Sequence, residues 1–253
     1  MTISLCLTVH NRPPAVSKAV ADSLLLPGNA PDELILVLDR PTPDALEGAH
    51  AAYDNLPFPV RTITIPGKPA WLGPARAWNH AFTAASSDTL YCISSEVVQA
   101  AGNLDRARSL AGPTTAVFGA CHNSTPAQLV TGAEPGLLAS SKMPRPLGFI
   151  VAMPAPAVKA IEGFDEDFMN GFWFDDDDFF LRLWNSGINF SFNDSIHGVH
   201  LHHERPDLET PEGQAGIARN QALMLRKHGT LHPWNTLPRI THYGDGVTEW
   251  RHP

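Results

Sequence analysis

Along the first part of the chain, apolar residues come in short unbroken runs, each closed by a turn cluster and followed by a stretch of helical character. ISLCLTV, residues 3–9, stops at His10-Asn11-Arg12-Pro13-Pro14, and a helical stretch from about Ala15 to Leu26 ends at Pro27-Gly28-Asn29. ELILVL, Glu33 to Leu38, runs into Asp39-Arg40-Pro41-Thr42-Pro43-Asp44, with a helix to about Tyr53. A third run, Val60 to Ile65, leads to a helix from about Pro74 to Ala85; a fourth, Thr89 to Ile93, stops at Ser94-Ser95-Glu96. Continuous apolar runs suit strands buried on both faces, and the β–α alternation predicts an α/β fold with a doubly wound, mostly parallel sheet flanked by helices. Ligands bind such sheets at the carboxyl ends of the strands, where His10–Arg12, Asp39 and Ser94–Glu96 fall.

The second half is less regular. Pro and Gly are frequent from Gly112 to Pro156, LGFIVAM (Leu147 to Met153) reads as a buried strand, and helices are expected near Pro156 to Glu162 and over Gly213 to His228. No repeat or linker interrupts the pattern, so the expectation is one domain over 1–253, with sections 1–100, 101–210 and 211–253. With 253 residues and 43% hydrophobic content the chain can bury a full core. A net charge of −8 gives no overall basic footprint for nucleic acid or anionic membrane. No run approaches the roughly 20 apolar residues of a membrane span, and no basic stretch precedes an apolar one at the N-terminus. Cys6, Cys92 and Cys121 form no CxxC pair and are odd in number, which argues for structural thiols in a reduced, cytoplasmic protein.

The densest chemistry is GFWFDDDDFFLRLWNSG, residues 171–187. Asp175 to Asp178 open a helix with Phe179, Leu183 and Trp184 on one face and Gly187 as its stop. A helix N-terminus accommodates two carboxylates comfortably; four in succession repel unless a cation, substrate or solvent relieves them. A carboxylate held rigidly in a first helical turn suits a general base. Trp173 either packs in the core or offers a flat apolar face to a ligand, and Trp71 either fills space or borders a ligand. SIHGVHLHHERP places His197, His200, His202 and His203 within seven residues. If this stretch is extended, His200 and His202 share one face and His203 takes the other.

GFDEDFMNGFWFDDDDFFLRL resembles the GFDE…ED-x-D…RL segment of family-2 glycosyltransferases, and the aromatic-then-EDDD pattern of β-1,4-galactosyltransferases more closely still. ISLCLTVHNRP, LILVLDRPTPD, GPARAWNHAFTAASSDTLYCISSE and RNQALMLRKHG resemble successive family segments in the same order. The resemblance implies a GT-A fold, a nucleotide-diphosphate sugar donor (a UDP-sugar by expectation) and Mn²⁺ or Mg²⁺. It makes 1–100 the donor-binding half, 101–210 the acceptor and catalytic half, and 211–253 a C-terminal helix and tail. It implies Asp176 as the base that deprotonates the acceptor hydroxyl, in an inverting transfer, and Asp175 as the residue orienting the acceptor. Asp39 would contact the nucleoside and Arg76 the nucleotide, with His10, Asn11, Arg12, Ser94, Ser95 and Trp173 completing the donor site.

Where the family has Asp-x-Asp, this chain has Ser94-Ser95-Glu96, leaving Glu96 as the single carboxylate for the metal. Matching LHHE to the family's ending favours His202 as a further ligand, with His200 in reserve. The acceptor is open: a glycan, a lipid-linked sugar, a small metabolite or a hydroxymethylated base in phage-type DNA. Two alternatives stand beside the transferase. A nucleotidyltransferase shares the fold class, but no Gly-rich phosphate loop follows the first strand. A degenerate sugar- or nucleotide-binding module without turnover is motivated by the missing aspartates.

Overall fold

A computed structural model describes residues 1–68, 73–124, 136–203, 207–235 and 239–252, so Trp71 lies outside the described residues. Strand β1 (Ile3–Val9) is buried along its whole length, and its side chains alternate between two cores: Leu5 and Leu7 face one, Cys6 the other. Helix α1 (Pro14–Leu24), β2 (Glu33–Asp39), α2 (Pro43–Tyr53), β3 (Val60–Ile65), α3 (Ala75–Ala84) and β4 (Thr89–Ser94) follow. The four strands are parallel in the order β3-β2-β1-β4. Thr42 starts α2 by accepting the Ala45 N–H, which fixes where the loop after β2 ends.

The second half comprises β5 (Val97–Gln99), α4 (Asn103–Leu110), β6 (Thr115–Asn123), β7 (Gly136–Ala139), β8 (Ile150–Pro154), α5 (Ala155–Ala160) and a 3₁₀ turn over Glu166–Asn170. Then come α6 (Asp175–Asn185), β9 (Asn189–His200), α7 (Pro211–His228), β10 (Arg239–His242) and β11 (Val247–Arg251). The described strands join one sheet, β10-β11-β9-β6-β8-β4-β1-β2-β3, with β5 on β9 and β7 on β6. Here the direction becomes mixed. β8 runs antiparallel to both β4 and β6, β6 and β9 are parallel, and β11 opposes β9.

Helices cover both faces of the sheet. α1, α2 and α4 pack through Val20, Leu24, Ala49, Tyr53 and Leu104 on one side. α3, α5 and α6 pack on the other through Trp78, Val158, Phe179 and Trp184, with Phe164 and Phe179 stacked at 4.0 Å. The three cysteines are buried and free, and burial pushes the Cys121 thiol up to about 12, so it stays protonated. Among the described residues, no helix is long and apolar enough to cross a membrane.

Candidate active site

The carboxyl ends of β1, β2 and β4 meet in a cleft lined by His10, Arg12, Asp39, Ser94, Ser95 and Glu96. Each polar side chain there is already tied to the protein. His10 Nδ1 lies 2.8 Å from the Asp39 carbonyl, which can only accept, so Nδ1 carries the proton and Nε2 faces the Asn11 amide at 3.3 Å. The Asn11 Oδ1 takes the Thr42 N–H at 2.7 Å, so its side chain fastens the end of β1 to the start of α2. Asp39 is gripped at 2.8 and 2.6 Å by the guanidinium of Arg40, its left-handed neighbour (φ 47°). Arg76 is not brought to this cleft. It is half-exposed in the first turn of α3 and pairs with Glu166 at 2.9 Å, joining α3 to the 3₁₀ turn; Trp78 and Pro74 line the cleft in its place.

Glu96 is the centre of the site. Its Oε1 stands 3.1 Å from His200 Nε2 and 3.7 Å from His203 Nε2. Its Oε2 accepts from Arg12 Nε at 2.9 Å and Ser95 Oγ at 2.8 Å. Pairing of β5 with β9 sets Val97 opposite His200, and the Leu201 N–H donates to the Glu96 carbonyl, which brings the end of β9 against Glu96. The expectation that His200 and His202 share a face is corrected here. β9 ends at His200, alternation ends with it, and the irregular segment that follows carries His203 to Glu96 while His202 is exposed. The backbone N–H of His202 is held by Ser124 Oγ at 3.2 Å. Burial alone would raise the Glu96 carboxyl. The His200 hydrogen bond and the charges of Arg12, His200 and His203 outweigh it and hold the group well below the usual carboxylate range.

One carboxylate and two imidazoles, with ligand atoms all within 4.8 Å of one another, suit a divalent first-row cation. His200 Nδ1 is buried without a hydrogen-bond partner among the described residues.

The carboxylates of α6 divide into two kinds. Asp178 is fully buried and bonded to Arg182 (2.9 Å) and His228 (2.8 Å), and Asp177 accepts from Trp234 Nε1 at 2.8 Å. Asp175 and Asp176, together with Asp177, border a cleft of about 620 Å³, shared with Arg145, Leu147, Trp173 and Trp234. Trp173 is 57% exposed there, which removes it from the core. Burial, then the neighbouring Asp175 charge, raises the Asp176 carboxyl well above its ordinary value, against the Gly148 N–H, which lowers it. Asp175 is also raised, by burial first and by Asp177 and Asp178, with the Asp175 and Asp176 N–H groups opposing.

One residue joins the two clefts. Gly148 donates its N–H to Asp176 Oδ2 at 3.2 Å, and its carbonyl accepts from Ser94 Oγ at 3.5 Å. A Cβ on residue 148 would stand 3.2 Å from Asp176 Oδ1, so glycine permits this approach.

Residues 139–204 match the family described as the N-terminal domain of galactosyltransferase. That segment holds Gly148, Asp175–Asp178, His200 and His203. The mannosyltransferase PcManGT from Pyrobaculum calidifontis, solved with GDP-Man and Mn²⁺, superposes with a TM-score of 0.62 at 16% identity, covering 88% of this chain and 64% of that one. The fold is that of the GT-A glycosyltransferases. GalNAc-T7, solved with UDP, GalNAc and Mn²⁺, gives a TM-score of 0.65 at 12% identity, over 89% of this chain and 48% of its own. S. aureus TarS 1-349 with UDP-GlcNAc gives 0.61 at 13% identity, over 81% and 60%. The chain thus spans less than two thirds of the length of these GT-A structures. No curated protein is significantly similar to it in sequence.

Within the GT-A frame, sequence reasoning missed His203, Gly148 and the use of Arg12 on Glu96. The four-histidine cluster was the signal for His203, but choosing among them needed the end point of β9. A lone glycine in LGFIVAM carries no signal of its own.

Proposed function

We propose that the protein transfers a sugar from a nucleotide-diphosphate sugar to an acceptor hydroxyl, with inversion at the anomeric carbon. The observation that carries this is the Gly148 bridge. It sets a carboxylate whose proton affinity is raised by burial beside the strand-end cleft that holds the Glu96 cluster. In this reading Asp176 Oδ accepts the acceptor hydroxyl proton as the oxygen attacks the anomeric carbon, and the bond to the diphosphate breaks. Asp175 orients the acceptor, and Trp173 borders its ring. Arg12, whose Nε is committed to Glu96 and Ser95, has its remaining guanidinium N–H groups for the departing diphosphate. Glu96, His200 and His203 are the residues that would hold a divalent ion, which when bound offsets negative charge on a diphosphate. Each of the structural relatives bound a nucleotide or nucleotide sugar, and two bound Mn²⁺, which supports the same donor class here.

The test is a donor-by-acceptor screen with Mn²⁺ that follows release of nucleoside diphosphate. Release that depends on both substrates supports transfer. Donor binding without release in any combination would leave a binding module. Release of pyrophosphate from a nucleoside triphosphate would instead favour a nucleotidyltransferase.

A further inference from the structure

Helix α7 carries Asn220 and His228, and both reach back to the acidic motif. Asn220 is buried, and its Nδ2 donates to the carbonyls of Phe168 (3.0 Å) and Trp173 (2.9 Å). Carbonyls only accept, so this orientation of the amide is forced. The helix lies unusually close to the segment it holds. A Cβ on residue 171 would stand 2.3 Å from Asn220 Oδ1, and one on residue 216 would stand 2.6 Å from the Phe172 ring. The Phe172 N–H donates to the Gly216 carbonyl at 3.3 Å across the same contact. About 12 Å further along the helix, His228 Nε2 meets Asp178 Oδ1 at 2.8 Å. Asp178 also holds Arg182, whose Nη1 donates to the carbonyls of Ile161 and Gly163.

The grip therefore falls on both sides of Asp175–Asp176, at Trp173 before them and at Asp178 after them. Between lies a strained turn: Trp173 and Phe174 are both left-handed, with φ of 65° and 67°. Each non-glycine residue in that region costs about 1–2 kcal/mol, and two in succession persist only where surrounding contacts hold them.

We propose that Asn220 and His228 are positioning residues for the reaction, holding the Trp173–Phe174 turn and the first turn of α6 so that Asp175 and Asp176 face the cleft beside Gly148. The proposal rests on the transferase reading above. Its rival is a bracing role that affects folding alone.

The test uses the full chain and compares Asn220→Ser, His228→Leu and His228→Gln, the last returning a hydrogen-bond donor near the lost Nε2. Four quantities are read: kcat, acceptor KM, nucleoside diphosphate affinity by calorimetry, and amide exchange of residues 171–178. Asn220→Ser and His228→Leu are expected to lower kcat roughly 10²-fold, the effect of misplacing a reacting group by about 1 Å. Exchange across 171–178 should quicken, nucleoside diphosphate affinity should stay at the wild-type value, and His228→Gln should recover most of the turnover. Quickened exchange with wild-type kcat overturns the proposal, as does a parallel loss of kcat and nucleotide affinity. If Asn220→Ser does not fold, the two His228 variants decide the question by themselves. A wild type without turnover sinks the transferase reading and the proposal together; it is told apart because it is seen before any substitution is made.

Discussion

Asp176→Asn keeps the shape of the side chain and an oxygen able to accept the Gly148 N–H, and removes only the capacity to take a proton. A general base contributes about 10²–10⁴ in rate, or about 2.7–5.5 kcal/mol of barrier. We expect kcat to fall by at least roughly 10², with nucleoside diphosphate binding unchanged, because the cleft proposed for the nucleotide lies across Gly148. Stability should move the other way. Burial, then Asp175 and Asp177, raise the folded-state pKa of Asp176, so the fold disfavours its charged form. Between the unfolded value of about 3.9 and the raised folded value, the folded protein binds more protons than the unfolded chain. Stability is therefore lost as pH rises through that window. Wild type and Asp176→Asn should melt alike below about pH 4. At neutral pH the variant should melt higher, by roughly 2–4 °C for each kcal/mol relieved, a gain that the partial solvent contact of Asp176 keeps modest. Melting curves across pH, paired with a nucleoside diphosphate release assay, read both effects. A variant less stable than wild type at pH 7, or one retaining turnover, would refute the reasoning.

Two further outcomes follow from the geometry. His203→Ala should weaken Mn²⁺ binding in calorimetric titration while His202→Ala leaves it unchanged, since of these two histidines His203 is the one that faces Glu96; equal losses, or a loss at His202 alone, would displace the ligand set. Gly148→Ala sets a methyl 3.2 Å from Asp176 Oδ1 and should lower kcat several-fold with little change in melting temperature, and unchanged kcat would show that Asp176 tolerates displacement.

The parallel half of the sheet was legible because β1, β2 and β4 are unbroken apolar runs and a helix follows each of β1, β2 and β3. The direction of β8 was not, because a run buried on both faces reads the same either way along a sheet. Crowding of like charges showed that four carboxylates exceed what a helix start needs. Which of them serve the fold was hidden, since the partners of Asp178 and Asp177, His228 and Trp234, lie 50 and 57 residues away. Histidine assignment rested on matching LHHE to the family's ending and on an extended strand beyond His200, whereas the contacts of Leu201 with Glu96 and of Ser124 with His200 show where β9 stops. Arg76 illustrates the same limit. Its chemistry suits a phosphate, but Glu166 takes it, and no spacing rule links residues 90 apart.

The pairing of Arg12 with Glu96 has a consequence for the protein in the absence of any divalent ion. A buried carboxylate stripped of its partner costs about 3–5 kcal/mol, and a site that depended on a loosely held ion would carry that cost whenever the ion left. Arg12 removes the problem. Its guanidinium stays protonated at every working pH, and with a side chain 12% exposed it is as much part of the interior as Glu96 at 10%. The chain thus carries a resident counter-ion for its own cluster. A chelator should therefore lower the melting temperature only by the ion's own binding free energy, with no added cost for an unpaired buried carboxylate, so the architecture around the site stays in place.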